Sequence, residues 1–195
     1  MPEQVISALI FDCFGVLVSD GWLPYRDKTF GHDATLLQRA NDASRACDKG
    51  YITYTEFLQE VADLAGTSTE DVRRHVQQNA PDEALFTMIK DIKPHYKIGF
   101  LSNAGENWMS ELFSEEQIAL FDAVAISSEI GFVKPQQEAY DSVASMLGVD
   151  NSECLFVDDQ PRYCEGAREA GMQAIVFTGA HELRQQCKER GILGL

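Results

Sequence analysis

Leu9-Ile10-Phe11-Asp12-Cys13-Phe14-Gly15-Val16-Leu17 is an apolar run that stops at a carboxylate and meets a glycine three residues later. Ala8 to Phe11 has the short, unbroken apolar character of a strand buried on both faces of a parallel sheet. Gly15 permits a tight turn where a ligand can approach the backbone. The pattern predicts Asp12 at the tip of a central strand, as a nucleophile or metal ligand. Taken alone, these residues describe a turn-capping aspartate at least as well.

Outward from this stretch, the second half of the chain alternates strand, turn and helix. Lys97–Ser102 is a strand ending on a hydroxyl and followed by Asn103-Ala104-Gly105, and Ala123–Ile126 is a weaker third. Gly131-Phe132-Val133-Lys134-Pro135 leads into a helix with Pro135 in its first turn and an apolar face of Tyr140, Val143, Ala144 and Leu147. Cys154–Asp159 is a fourth strand ending on carboxylates, Ala174–Phe177 a fifth, and a polar helix closes the chain. This alternation predicts an α/β fold, a Rossmann-like parallel sheet covered by helices.

The segment after Val18 has a different character. Ser19-Asp20-Gly21-Trp22-Leu23-Pro24 reads as a turn-rich exit from the first strand. Leu36, Ala40, Ala43 and Cys47 then recur at helical spacing, and Thr55 to Ala65 forms a second amphipathic helix stopped by Gly66. A third begins at Ser68, with Asp71 at the capping-box offset, and a fourth opens at Pro81-Asp82 and runs to about Lys90. The division predicted is a core of residues 1–18 and 85–195 with a small helical insertion over 19–84.

With 16 basic and 31 acidic residues the net charge is -15, which disfavours nucleic acid and anionic membranes as partners. An acidic protein handling an anionic substrate needs a divalent cation or a locally focused positive site. The five cysteines are odd in number and lack paired metal or redox spacings, so they read as buried thiols of a reducing compartment. No basic region precedes the first apolar run, and Asp12 ends that run after a few residues. Neither a signal peptide nor a membrane span fits, and a cytoplasmic location is expected.

Ligands of open parallel sheets sit at the carboxyl ends of the strands. Those ends supply Asp12, Ser102 with Asn103, and Asp158 with Asp159, while Lys134 comes from a loop before a helix. Three carboxylates together repel unless a cation sits among them, and oxygen-only ligands suit Mg²⁺. Lys134 neutralises the nucleophile and a phosphoryl oxygen. Ser102 and the loop starting at Asn103 donate to the remaining oxygens, so Ser102, Asn103 and Lys134 are the expected phosphate-binding set. The chemistry indicated is in-line phosphoryl transfer through an aspartyl-phosphate on Asp12.

In these motifs the chain resembles the haloacid dehalogenase superfamily, in the subgroup whose helical cap is inserted after the first strand. Phe11–Leu17 is similar to its first motif, Leu101-Ser102-Asn103 to its second, Val133-Lys134-Pro135 to its third and Phe156–Asp159 to its fourth. The resemblance implies that Asp12 is nucleophile and metal ligand, that Asp158 and the backbone carbonyl of Phe14 are further ligands, and that Asp159 lies in the outer shell. It also implies that residues 19–84 are the cap.

One departure stands out. Most phosphatases of the family carry an aspartate two positions after the nucleophile, which protonates the leaving group, and this chain has Phe14 there. Losing such help typically costs 10²–10⁴-fold in rate. The leading expectation is a Mg²⁺-dependent hydrolase of a small phosphorylated metabolite, with a good leaving group or a cap-supplied acid. The alternatives are a 2-haloacid dehalogenase, which needs no leaving-group acid, and an impaired binding or regulatory protein. Trp22, Tyr25, Arg26, Lys28 and Arg45 are candidate substrate contacts from the insertion; the substrate and the oligomeric state are not readable.

Overall fold

The continuous apolar run Ala8–Phe11 forms β1, every residue of which is buried. The computed structural model describes residues 5–195; residues 1–4, assigned above to the first core segment, lie outside the described residues. After β1 come four helices: α1 (Trp22–Phe30), α2 (Ala34–Asp48), α3 (Tyr54–Ala65) and α4 (Thr69–Val76). The chain continues through α5 (Glu83–Ile92), β2 (Lys97–Ser102), α6 (Met109–Leu112), α7 (Glu115–Ile118), β3 (Ala123–Ile126), α8 (Ser127–Ile130) and α9 (Gln137–Leu147). A 3-10 turn at Asn151–Glu153 precedes β4 (Cys154–Asp158), α10 (Pro161–Glu169), β5 (Gln173–Val176) and α11 (Ala180–Glu189).

All five strands are parallel, in the order β3-β2-β1-β4-β5. The side chains of β1 alternate between two cores. Leu9 and Phe11 pack with Leu85, Phe86 and Ile89 of α5 and Leu183 of α11, whereas Ala8 and Ile10 pack with Tyr140, Val143 and Leu147 of α9 and Ala167 of α10. Each fully buried Leu, Ile or Phe contributes roughly 1.5–3 kcal/mol, so β1 is anchored from both faces. The strand order reverses at β1, the place where an open sheet leaves a crevice between diverging connections.

The helices α1 to α4 hold a third apolar cluster of their own, built from Phe30, Ala40, Ala43, Phe57, Leu58, Val61 and Val72. Their ends are capped locally. Asp33 accepts from the amides of Thr35 and Leu36, Thr53 and Glu56 form a reciprocal capping box, and Ser68 accepts from Asp71. The two connections to the sheet run side by side, with the Ser19 amide donating to the Ala80 carbonyl (3.1 Å) and the Asp82 amide to the Leu17 carbonyl (2.9 Å). The division at 84/85 read from the sequence falls inside the first turn of α5, which packs as a whole against the sheet.

Two local readings are corrected. Ser19–Pro24 is not simply a turn: α1 begins at Trp22, and Asp20 Oδ1 accepts from the amides of Trp22 (2.7 Å) and Leu23 (3.2 Å). Pro24 lies in the first turn, where an amide has no helical acceptor to lose. Pro135, by contrast, stands outside α9 and follows Lys134 through a cis peptide bond. The Gln136 amide donates back to the Val133 carbonyl (2.8 Å), closing a turn of its own, and the helix starts only at Gln137.

The five thiols are free and buried, as the sequence leads one to expect. Burial pushes Cys47 and Cys154 up to about 12 and Cys164 and Cys187 up to about 11, well away from the reactive thiolate range. Among the described residues no helix is long and apolar enough to cross a membrane.

Candidate active site

Strand register brings the acidic residues together. Phe11 pairs with Val157, so the next residues along the two strands are Asp12 and Asp158. The Asp12 amide continues the ladder to the Val157 carbonyl at 2.9 Å. The loop after β1 is closed by the Cys13 carbonyl, which accepts from the amides of Val16, Leu17 and Val18. Gly15 has φ +88°, and a Cβ on it would lie 2.7 Å from Asp159 Cγ, so its bare backbone is what lets Asp159 approach. Carboxylate oxygens of Asp12, Asp158 and Asp159 all lie within 4.8 Å of one another.

Lys134 sits between two of them. Its ammonium donates to Asp12 Oδ1 at 2.5 Å and to Asp158 Oδ2 at 2.7 Å, with the lysine 3 % exposed and Asp158 fully buried. Asp158 Oδ1 accepts the Gln160 amide (2.8 Å), and Asp159 Oδ2 accepts from Gln160 Nε2 (2.7 Å). Burial raises the Asp12 carboxyl to about 8; the Lys134 charge opposes this, the Asp158 charge adds to it, and the Cys13 amide opposes it. Burial works against the charge on Lys134, but the two carboxylates more than offset it and hold its pKa above the usual lysine value. Asp159 is raised by burial and, further, by Asp158. One ammonium among three acidic side chains leaves an excess of negative charge. The oxygen-only donor set fits a hard divalent cation such as Mg²⁺, with Asp12, Asp158 and Asp159 as the side chains able to hold it.

The residues expected to bind phosphate divide into three cases. Lys134 is in place. Ser102 is 2 % exposed and its Oγ has no hydrogen-bond partner, an unspent buried donor of the kind an oxyanion would satisfy. It borders a void of about 10 Å³, shared with Cys13, Phe14, Ala104 and Trp108, beside the main cavity. The Asn103 side chain has a job the sequence did not suggest. Its Oδ1 accepts the Lys134 amide (2.8 Å) and its Nδ2 donates to the Lys134 carbonyl (3.1 Å), clamping the loop that aims the ammonium.

Above the carboxylates opens a cavity of about 930 Å³ between the sheet and the helical insertion. Asp12, Lys134 and Asp159 line its floor together with Phe14, which is half-buried. Trp22, Arg26, Arg45, Tyr54 and Phe57 of the insertion also line it. Of the substrate contacts suggested by sequence, Trp22, Arg26 and Arg45 reach the cavity wall; Tyr25 and Lys28 do not line it. Arg162, Tyr163 and Asp48 line it too and were not anticipated.

With this geometry in view, comparison with known proteins is specific. Residues 41–177 match the family model described as haloacid dehalogenase-like hydrolase. The chain is 43% identical to a phosphatase of Mycobacterium tuberculosis over 92% of its own length and 90% of that protein. It is 33% identical to a putative phosphatase of Bacillus subtilis over 48% of its length. Among solved structures, a HAD family enzyme of Bacteroides thetaiotaomicron superposes with TM-score 0.72 at 19% identity, covering 92% of this chain and 99% of the other. A complex of that enzyme with magnesium and inorganic phosphate gives 0.68 at 21% identity over 87% and 93%. An L-2-haloacid dehalogenase of Xanthobacter autotrophicus with covalently bound chloropropionic acid gives 0.60 at 18% over 96% and 84%.

Proposed function

We propose, from the premise that the chain belongs to the haloacid dehalogenase-like hydrolases and is a phosphatase-like enzyme of that family, that it is a Mg²⁺-dependent phosphatase of a small phosphorylated metabolite. Asp12 is the nucleophile. The observation that carries this reading is the convergence of Asp12, Asp158 and Asp159 within 4.8 Å, with the Lys134 ammonium bonded to the first two. The naming of the 43% identical relative as a phosphatase, and the magnesium and phosphate held by a structural neighbour, support it.

In the first step an Asp12 oxygen attacks phosphorus, forming the aspartyl-phosphate while the bond to the leaving oxygen breaks. Water then attacks the same phosphorus and restores the Asp12 carboxylate. A Mg²⁺ bound here would be held by Asp12, Asp158 and the Phe14 carbonyl, with Asp159 in its outer shell, and would supply charge compensation for the transferring phosphoryl group. Lys134, fixed by the Asn103 clamp, provides a permanent positive charge next to the nucleophile. The Ser102 hydroxyl is the donor available to a phosphoryl oxygen. The helical insertion, residues 19–84, acts as a cap that excludes water and carries the substrate contacts, its two connections to the core joined where the Ser19 amide donates to the Ala80 carbonyl.

A phenylalanine rather than a carboxylate at position 14 on the cavity floor favours one second reading, a dehalogenase in which Asp12 attacks carbon and expels halide without proton transfer. The deciding experiment assays the protein on sugar phosphates, nucleotides and aryl phosphates with and without Mg²⁺, alongside halide release from short 2-haloacids. Phosphatase turnover that needs Mg²⁺ and disappears in Asp12→Asn, with the unfolding transition retained, is the expected outcome. Halide release without metal would replace the reading, and turnover of Asp12→Asn near the parent's would remove Asp12 as nucleophile.

A further inference from the structure

With Phe14 unable to move a proton, the site described so far has nothing to serve the leaving-group oxygen. Asp48 is the last residue of α2, a 15-residue helix. A carboxylate there faces the negative end of the helix dipole, so local electrostatics argue against it. Residues that break a local rule concentrate at functional sites. The end of α2 is also held tightly against the core. Ser127 Oγ, on the buried first residue of α8, donates to the Asp48 carbonyl at 2.5 Å and accepts the Ala104 amide at 2.9 Å. A Cβ on Gly105 would lie 2.6 Å from Cys47 Sγ and 2.8 Å from the Cys47 carbonyl, so that glycine lets α2 settle on the loop after β2. These contacts place Asp48 on the wall of the cavity whose floor holds Asp12, Phe14 and Lys134.

We propose that Asp48 is the acid–base catalyst of this enzyme, brought by the helical insertion to the leaving-group oxygen in place of the side chain missing at Phe14. The inference rests on the phosphatase reading above. In the first step the Asp48 carboxyl gives its proton to the leaving oxygen as the bond from that oxygen to phosphorus breaks and the Asp12 oxygen bonds to phosphorus. In the second, the Asp48 carboxylate takes a proton from water as the water oxygen attacks phosphorus and the bond to Asp12 breaks. The sum is phosphate ester plus water giving alcohol plus phosphate, with both aspartates returned to their starting states.

The surroundings suit the task. Burial raises the Asp48 carboxyl to about 7; Lys134 from the floor and Arg162 from α10 oppose this, and Asp20 adds to it. Cys47 and Tyr163 are the uncharged titratable neighbours, and Arg45 and Lys49 line the same wall on the same element. A carboxyl near 7 can both give and take a proton at neutral pH. Asp20, Glu111 and Asp159 are the other acids besides Asp12 that line the cavity; Asp20 Oδ1 is already committed to the first turn of α1, and Asp159 Oδ2 accepts from Gln160.

The test compares parent, Asp48→Asn, Asp48→Glu and Asp20→Asn, with Mg²⁺, on an alkyl phosphate and on p-nitrophenyl phosphate across pH 5 to 9. Asp48→Asn should lose about 10²–10³-fold in kcat/KM on the alkyl ester and under about threefold on the aryl ester, whose leaving group needs little protonation. The decline of the parent's alkyl-ester rate as pH rises through about 7 should vanish in Asp48→Asn and return, displaced, in Asp48→Glu. Equal losses on both esters would reduce Asp48 to a structural residue, and loss of the pH limb in Asp20→Asn alone would transfer the role to Asp20. Both results would overturn the proposal while leaving the phosphatase reading intact. A parent inactive on every phosphate ester would overturn both.

Discussion

Replacing Lys134 by methionine keeps the side-chain volume and removes the ammonium that bridges two buried carboxylates. With the ammonium 2.5 Å from Asp12 and 2.7 Å from Asp158, each contact represents about 6 kcal/mol of gross attraction at an effective dielectric constant near 20. Desolvation of the ions cancels much of that, and removing one partner of a buried pair costs about 3–5 kcal/mol net. For a chain of 195 residues this is a fall in melting temperature of about 6–20 °C, leaving a folded protein. The loss should depend on pH. Asp12 has its folded-state pKa raised from 3.8 to about 8, so its stabilising contribution is complete below about 4 and disappears as pH rises through 8. Without the lysine that carboxyl rises further, so the variant's deficit should be largest near pH 8.5 and shrink toward pH 5. Urea unfolding in EDTA at the two pH values, with the slope checked for constancy, measures the difference. Added Mg²⁺ should restore more stability to the variant than to the parent, because it supplies the missing charge. A deficit below about 1 kcal/mol at pH 8.5, or one equal at both pH values, would refute the view that Lys134 offsets buried carboxylate charge.

Gly15→Ala combines a positive φ with a collision at Asp159, and should cost about 1–2 kcal/mol in stability while weakening Mg²⁺ binding roughly tenfold or more by titration calorimetry. Unchanged metal affinity would mean that Asp159 has no part in holding the ion. In the Asp48→Asn background, Phe14→Asp should restore kcat on alkyl phosphates and change aryl phosphates much less, since it puts a carboxylate back at the cavity. A uniform fall on both, with metal binding intact, would mean that the ring's packing against Trp108 and Met109 matters more than the absent proton.

β1, β2 and β4 and the order of the site residues were legible because each of these strands is a short apolar run ending at a polar residue, a pattern that burial on both faces imposes. Asp12 and Asp158 could be read as a pair because strand ends in a parallel sheet converge at one edge, whereas Lys134 comes from a loop and was read from the motif around it. Local punctuation misled twice, at Pro24 and Pro135, because a proline in a helix's first turn and one just ahead of a helix look alike in sequence. The role of Asn103 was hidden because its partner, the Lys134 backbone, lies 31 residues away. Asp48 was hidden more deeply. It ends an amphipathic helix as any surface residue might, and only the long-range contacts of Ser127 and Gly105 bring it to the cavity.

Five thiols without a disulfide or an exposed sulfur give the molecule an internal set of opening gauges. A thiol shielded by packing and kept protonated is alkylated only when its surroundings part, so its labelling rate reports the free energy of that local event. Cys47 lies in the seam between α2 and the loop after β2, Cys13 beside the nucleophile, and Cys187 on the buried face of α11. The wild-type chain therefore carries separate reporters for lifting of the helical layer, for loosening of the first loop and for global unfolding. The order in which the three react, resolved by mass spectrometry without any introduced probe, ranks these motions in a single experiment.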